Sequence, residues 1–340
     1  MANVRHTTVR MLIVAAAFAW SGAAVAEEGF YAGKSVRIVI PAGPGGVYGL
    51  YAQAVGPYLR QHVPGHPDFI PEYMPGGGGI KAANYFANAA PKDGTVIAMP
   101  HDSVVITQVL TPAAVKYDVR TFRWIGTVSA TSSTIAMWHA LPVKTVDDAK
   151  KVKSILGATG RGSYMYFVPR LMNALLGTKF EIVTGYKGVA DIDLALERGE
   201  VQGRAGAWLS WKAAKPDWVR DQKVIQIVQF GYRKTADLPK VPLLVDLAAD
   251  EEAAQMFRFV SSIGLIGRGF AAPGGTPNAQ LGLLRDGLAQ TLKDPAFLND
   301  AKKRTVDVDS VPGPEVEAGI AQILATPKEV VDKLRKLIGK

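Results

Sequence analysis

The segment Val36-Arg37-Ile38-Val39-Ile40-Pro41-Ala42-Gly43-Pro44-Gly45-Gly46-Val47-Tyr48-Gly49 begins as a short β-branched run, breaks at a proline–glycine turn and passes into helix-forming sequence. The run 36–40 predicts a buried strand, because apolar residues without strict alternation suit a strand covered on both faces. Residues 48–61 predict a helix. The glycines between them let backbone N–H groups come close to a ligand, and a helix N-terminus favours negative charge. A dinucleotide fingerprint does not fit. Its third glycine position holds Tyr48, and no acid follows a second strand at the required distance. A P-loop does not fit either, since no Gly-Lys-Ser/Thr follows. The segment therefore reads as an anion-binding loop or as a tight structural turn, on an α/β framework.

The same strand–turn–helix order recurs along the chain. Residues 95–99, 179–184, 201–204 and 224–230 predict strands. Asp102-Ser103 marks a helix start, and residues 189–198 form a helix stopped by Gly199. Leu281, Leu284, Leu288 and Leu292 recur at helical spacing. The last helical part, 314–338, carries an interruption at Pro327. This alternation implies parallel-rich sheets flanked by helices on both faces. Two apolar runs, Thr134-Ile135-Ala136-Met137-Trp138 and 257–266, read as strands crossing between lobes. Residues 27–130 and 259–340 then form lobe I and residues 131–258 lobe II, with a hinge and a cleft between them.

Composition narrows the function. The 340 residues suffice for two domains, and 48% hydrophobic with 20% charged residues suits packed globular structure. Cysteine is absent, which excludes disulfides, thiolate nucleophiles and cysteine-held metals. With five histidines, neither a metal nor a cofactor is expected. Arg5, His6 and Arg10 precede the apolar run 11–20, which is too short to span a bilayer, and Ala24-Val25-Ala26 offers a small-x-small cleavage pattern. Residues 1–26 thus read as a signal peptide cleaved after Ala26, with a buried N-terminal helix as the alternative. The mature protein is expected to be soluble and periplasmic. The net charge of +9 includes the two leader arginines. The basic clusters at 150–153 and 302–304 sit beside acids and read as solvated helix faces, so no nucleic-acid partner is expected. The mild positive field favours capture of small anions.

Further glycine loops supply more candidate ligand contacts. Met74-Pro75-Gly76-Gly77-Gly78-Gly79 precedes a helix at 80–89 and contributes Gly78 and Gly79, or is a flexible turn. His101, Asp102 and Ser103 follow the strand at 95–99. Gly157-Ala158-Thr159-Gly160-Arg161-Gly162-Ser163 follows another strand. There Thr159 and Gly162 line the turn, Arg161 offers a planar fork, and Ser163 offers a hydroxyl or a helix cap. Pro169 predicts a kink in the helix that follows. Tyr186-Lys187-Gly188 lines the cleft or is a surface turn. Arg204, near a strand tip, is a ligand contact, a surface residue or a partner of a carboxylate. Trp208, Trp211 and Trp218 stack a ligand or fill the core. No Gly-x-Ser-x-Gly elbow and no His-Glu-x-x-His are present, and Pro64-Gly65 keeps His62 and His66 off one helical face. An exported hydrolase using Ser103 or Ser163 as nucleophile lacks an identifiable base, His101 being the nearest histidine in sequence.

In order, these pieces resemble the periplasmic solute-binding component of tripartite tricarboxylate transporters, the Bug receptor family. The matching residues are Val36 through Pro41 into Pro44-Gly45-Gly46, then Gly76-Gly77-Gly78-Gly79, Lys92-Asp93-Gly94-Thr95 and Tyr117-Asp118. They continue with Leu141-Pro142-Val143-Lys144-Thr145-Val146, the loop at 157–163, Tyr186-Lys187-Gly188 and Gly199-Glu200-Val201-Gln202. Leu238-Pro239-Lys240-Val241-Pro242 and Ala272-Pro273-Gly274-Gly275-Thr276-Pro277 complete them. The resemblance implies a two-lobed Venus-flytrap protein that binds a small organic mono- or dicarboxylate and delivers it to a membrane permease, as a non-enzymatic monomer. It implies pocket residues at Ala42, Gly43, Gly45, Gly46, Val47 and Tyr48, in the other glycine loops, at 100–103 and at 186–188. The sequence departs from the family pattern at Ala42, where an aromatic is common, and at Tyr48-Gly49, where a small hydroxyl residue and Asp are common. It departs again at Arg161 and at Gly206-Ala207, where Asp-Asn is common. Substrate identity therefore does not carry over. Arg161 with Arg204 suggests a second anion clamp for a dicarboxylate, and Tyr48 an aromatic acid.

Overall fold

The computed structural model describes residues 29–338 except 162 and 232, so the leader, its cleavage site and Gly162 lie outside the described residues. The chain runs through β1 (Ser35–Ile40), α1 (Val47–His62), β2 (Asp68–Tyr73), α2 (Ile80–Asn88), β3 (Val96–Ala98), α3 (Val104–Leu110), β4 (Arg123–Thr127) and β5 (Ser132–Trp138). It continues with α4 (Val146–Lys151), β6 (Ser154–Ala158), α5 (Tyr164–Leu176), β7 (Phe180–Thr184), α6 (Val189–Glu197), β8 (Gly203–Ala207), α7 (Trp208–Ala214), α8 (Pro216–Arg220) and β9 (Val224–Gly231). After these come α9 (Glu251–Ser261), α10 (Ile263–Ile266), β10 (Gly269–Ala272), α11 (Asn278–Thr291), α12 (Pro295–Lys303), β11 (Val311–Pro312), α13 (Gly313–Leu324) and α14 (Lys328–Ile338).

Two mixed sheets result, ordered β11-β4-β10-β3-β1-β2 and β7-β6-β8-β5-β9. β1 pairs in parallel with β2 and β3, and β6 with β7 and β8. β5, β10 and the two-residue β11 run antiparallel to their neighbours, and β5 and β10 are the strands that receive the chain as it changes sheet. In β1 the pleat divides the side chains. Val36, Ile38 and Ile40 pack on Tyr51, Val55 and Leu59 of α1, while Val39 faces Phe86 and Val96 on the other side. Helices on both faces thus cover the strand that leads into the first glycine loop.

The sheets are joined where residues 128–131 leave β4 and residues 264–268 return towards β10. The two connections run side by side: Val128 N–H donates to the Arg268 carbonyl at 3.1 Å, Arg268 N–H to Ser129 at 3.0 Å and Thr131 N–H to Gly264 at 3.0 Å. Gly267 makes this close approach, at φ +46° and with its would-be Cβ only 2.1 Å from the Ser129 carbonyl oxygen.

Two expectations are corrected. The run 257–266, read as a strand, is helical: α9 and α10. Asp250 caps α9 by accepting from Ala253 N–H, Glu251 and Glu252 occupy its first turn, and Met256, Phe257, Val260 and Ile263 recur on one buried face. The final helix, α14, does not stay with the first sheet. Its Val330, Leu334 and Ile338 share a core with Phe167, Leu171 and Met256 of α5 and α9, so the chain returns to the second lobe after Pro327. Pro169 lies within α5, which runs on past it to Leu176.

Candidate functional site

The site is built at the carboxyl ends of β1 and β3. Beyond β1, Gly45 turns the chain with φ +85° and open space around it, and Gly46 opens α1 without a side-chain cap. The first amides of α1 therefore depend on a partner other than a capping side chain. Tyr48, in the first turn, is buried and its hydroxyl accepts from Asp102 N–H at 2.9 Å. Beyond β3, Ser103 Oγ lies 2.8 Å and Asp102 Oδ1 2.9 Å from Nδ1 of His101. The second glycine loop closes on this turn. A Cβ on Gly79 would stand 2.7 Å from Cβ of His101, and φ there is +94°. Thus Tyr48, Gly79, His101, Asp102 and Ser103 come together. Ala42, Gly43, Gly46 and Val47 sit half-buried at the loop, while Gly78 is exposed.

Arg268 completes the cluster. It is buried, donates from Nη1 to Asp102 Oδ2 at 3.2 Å and to the Gly267 carbonyl at 3.0 Å, and lays its guanidinium 4.4 Å from the Tyr48 ring centre. Burial works to raise the Asp102 pKa, but the neighbouring His101 and Arg268 more than offset it and hold the carboxyl at about 2. Burial would lower Arg268, yet Tyr48 and Asp102 keep it above its ordinary value, so the pair is ionised. From the second sheet Tyr164, the first residue of α5, enters the same field. Its hydroxyl is pushed up to about 12 by burial and by Asp102, against Arg268 and Arg204.

Arg268 and Tyr164 were missed in the sequence. A lone arginine inside the apolar run 263–272 is the signal that would have found the first, since a charge in such a run is buried and must be paired.

The remaining candidates occupy the second sheet's turns. Ser163 caps α5, accepting from Met165 N–H at 3.2 Å. Thr159 is half-buried and Arg161 exposed at the β6–α5 turn. Tyr186 is half-buried and Lys187 exposed at the β7–α6 turn, where the Lys187 amide donates to Asp191 at 3.1 Å. Arg204 is corrected as a ligand clamp. It is fully buried, its Nε donates to Asp193 at 2.6 Å, and its guanidinium lies 3.4 Å from the Trp211 ring centre. Burial works to lower its pKa and Asp193 opposes this, while its Nη2 is buried without an acceptor. Trp211 and Trp218 are core residues here. His62 pairs with Asp294 at 2.9 Å, and no cluster of metal-ligating side chains occurs among the described residues.

With two sheets, a paired double connection and glycine loops at the strand ends, the molecule has the architecture of periplasmic solute-binding receptors. A family profile for the tripartite tricarboxylate transporter family receptor matches residues 65–335, and the chain belongs to that family. No curated protein sequence matches it. Among solved structures it is similar to a solute-binding protein of this family from Polaromonas (18% identity, 91% of this chain and 99% of that one, TM-score 0.64). It is also similar to a protein from R. palustris solved with adipate (19%, 90% and 98%, 0.67) and to one from Rhodopseudomonas palustris with bound malate (20%, 90% and 99%, 0.64).

Proposed function

We propose that this chain is a periplasmic receptor that captures a small organic carboxylate between its two lobes and hands it, unchanged, to the membrane permease of a tripartite tricarboxylate transporter. The observation that carries this reading is the uncapped glycine entry into α1 set beside the buried Tyr48–Asp102–Arg268 cluster. The amides of Gly43, Gly45, Gly46, Val47 and Tyr48 receive a carboxylate. Gly78, Gly79, His101 and Ser103 border it, and Thr159, Arg161, Ser163, Tyr186 and Lys187 approach from the second lobe. Micromolar affinity asks for about 8 kcal/mol. A charge-assisted hydrogen bond contributes roughly 1.5–3 kcal/mol net, so a few suffice without covalent or metal chemistry. The relatives solved with adipate and malate support this ligand class. Export through the leader 1–26, lobes meeting at residues 128–131 and 264–268, and a monomeric state belong to the same reading.

The placement of His101, Asp102 and Ser103 favours a receptor over a hydrolase. A nucleophile–base–acid relay needs both imidazole nitrogens, one towards the hydroxyl and one towards the carboxylate. Here both neighbours meet the same Nδ1. The test is a thermal-shift and calorimetric screen of organic acids on the purified protein. A bound acid at one hundred times its Kd raises stability by about 2.7 kcal/mol. A panel of mono-, di- and aromatic acids without a shift or heat overturns the proposal, as does turnover of a bound acid or ester.

A further inference from the structure

The runs 141–146 and 238–242 carry part of the family resemblance but take no part in the strand-end site. Lys144, Thr145 and Val146 of the first and Lys240, Val241 and Pro242 of the second line one cavity of about 400 Å³ in the second lobe. That volume lies within the range of small-molecule sites. Its third wall depends on an irregularity in β9, which is an edge strand. Val228 pairs with Ile135 and Gln226 with Ala136, which leaves Ile227 as an extra residue. Successive side chains of a regular strand face opposite ways, and a bulge breaks that alternation. Here the neighbours Gln226 and Ile227 line the same cavity.

The walls are fixed by the protein's own bonds. Gln229 fastens the run beside β9: its Nε2 donates to the Leu238 carbonyl at 3.0 Å and the Val241 carbonyl at 2.6 Å, and its N–H to the Pro242 carbonyl at 2.9 Å. A reciprocal cap fixes the start of α4, with Thr145 N–H donating to Asp148 at 3.0 Å and Asp148 N–H to Thr145 Oγ1 at 3.1 Å. Buried Val146 and Ile227, with half-buried Leu176, Val241, Pro242 and Leu247, make the interior apolar. Exposed lysines stand at its mouth with a single acid, Asp147, which pairs with Lys150 at 2.8 Å. Lys144 meets only the His139 carbonyl, and Lys240 meets no acid among the described residues, so two positive charges are uncompensated. The side-chain nitrogen of Gln226 is buried without an acceptor.

We propose that this cavity is a second ligand site, taking a single-chain amphiphilic anion whose chain lies on the apolar interior and whose head is met by Lys144 and Lys240, with Gln226 as a further donor. A chain without charge leaves the lysines unanswered, and a small hydrophilic anion leaves the apolar walls in water, so neither suits both halves of the cavity. The site does not depend on the carboxylate reading of the strand ends.

The test titrates octanoate into the whole mature protein by calorimetry, with butyrate as the short-chain comparison and octyl glucoside as the uncharged one. Each buried CH₂ corresponds to about fourfold in affinity, so octanoate is expected to bind about tenfold or more tightly than butyrate. Hydrogen exchange locates the ligand, and octanoate is expected to slow exchange at 144–151 and 240–247. Lys144→Gln combined with Lys240→Gln should weaken octanoate about fivefold and leave octyl glucoside unchanged. Leu176→Trp, which fills the cavity, should abolish octanoate binding there. No heat with octanoate, octyl glucoside bound as tightly as octanoate, or protection confined to the strand-end loops 41–49 and 100–103 each overturns the proposal, and so does an affinity unchanged in Leu176→Trp. None of these outcomes touches the strand-end reading, which its own screen of short acids decides. The wild-type titrations and exchange pattern stand by themselves should a variant fail to fold.

Discussion

Asp102 is a charge that the fold keeps ionised out of water. Its pKa falls from 3.8 in the unfolded chain to about 2, so the native state binds this proton less readily than the unfolded state. The stability it contributes is therefore fully present above the unfolded value and is lost as pH drops through the folded one, about 2 kcal/mol in all. In urea unfolding, the stability gap between the wild type and Asp102→Asn is expected to narrow by about that amount between about pH 5 and pH 2. A gap independent of pH would remove the charge from the argument. Arg268→Met, which strips the buried carboxylate of its cation, is expected to cost about 3–5 kcal/mol in the same measurement at neutral pH. Part of this cluster was legible beforehand. Tyr48, His101, Asp102 and Ser103 each stand one turn beyond a strand that composition alone identifies. Arg268 was not, because its partner lies 166 residues away in the chain, and only tertiary structure brings them together. Arg204 was legible as a strand-tip cation but not as Asp193's partner. The helix carrying Asp193 and the strand carrying Arg204 each look complete alone, and their pairing depends on which face of the sheet α6 covers.

Helix and strand signals compete within short apolar windows, and α9 shows how the contest is decided. Phe257-Arg258-Phe259-Val260 alternates like a strand when taken by itself. The cap at Asp250 and the acids at 251 and 252 nucleate a helix seven residues earlier, and once begun the helix buries Met256, Phe257 and Val260 together. Asp250→Ala is accordingly expected to destabilise the protein by about 1 kcal/mol, read as a lowered urea midpoint with unchanged slope. A midpoint unmoved by this change would deny the cap its role. Elsewhere the local signals and the tertiary structure agree. β1 and β9 appear within a residue of the expected limits, Gly199 follows α6 with φ +73°, and the break near Pro327 separates α13 from α14. What local pattern could not supply was strand order. β5 reads like any other buried run, and nothing in an apolar pentapeptide states whether its neighbours will be parallel; β10 lies just past the run read as the second crossing strand.

Across the whole molecule, the two lobes meet at more than their paired connections. Lys212 of α7 reaches Asp237 at 2.7 Å within its own lobe and Asp307, beyond α12, at 3.4 Å. Arg233 pairs with Asp309 on the same flank. On another face α14 donates from Arg335 to the Val109 carbonyl at the end of α3, whose Ile106 and Leu110 enter the second lobe's core. If, as proposed, the ligand is held through a closed arrangement of the lobes, the apparent affinity scales with the population of that arrangement. The Lys212–Asp307 contact is half-exposed and is held by charge across the gap, which limits it to about 1 kcal/mol and makes it sensitive to salt. Lys212→Met is therefore expected to raise the Kd for a bound acid by no more than about fivefold at low ionic strength. The difference from wild type should shrink as salt is added, because ions screen in the wild type the attraction that the variant lacks. Calorimetry at two ionic strengths reads both effects. A loss of affinity that persists undiminished at high salt would mean that Lys212 acts on the ligand or on the packing of α7 rather than on closure. The Trp208 indole, which donates to the same Asp237 at 2.8 Å, supplies the control. Near-ultraviolet circular dichroism of wild type and variant, together with their urea midpoints, reports whether the packing around α7 is kept when the lysine is removed.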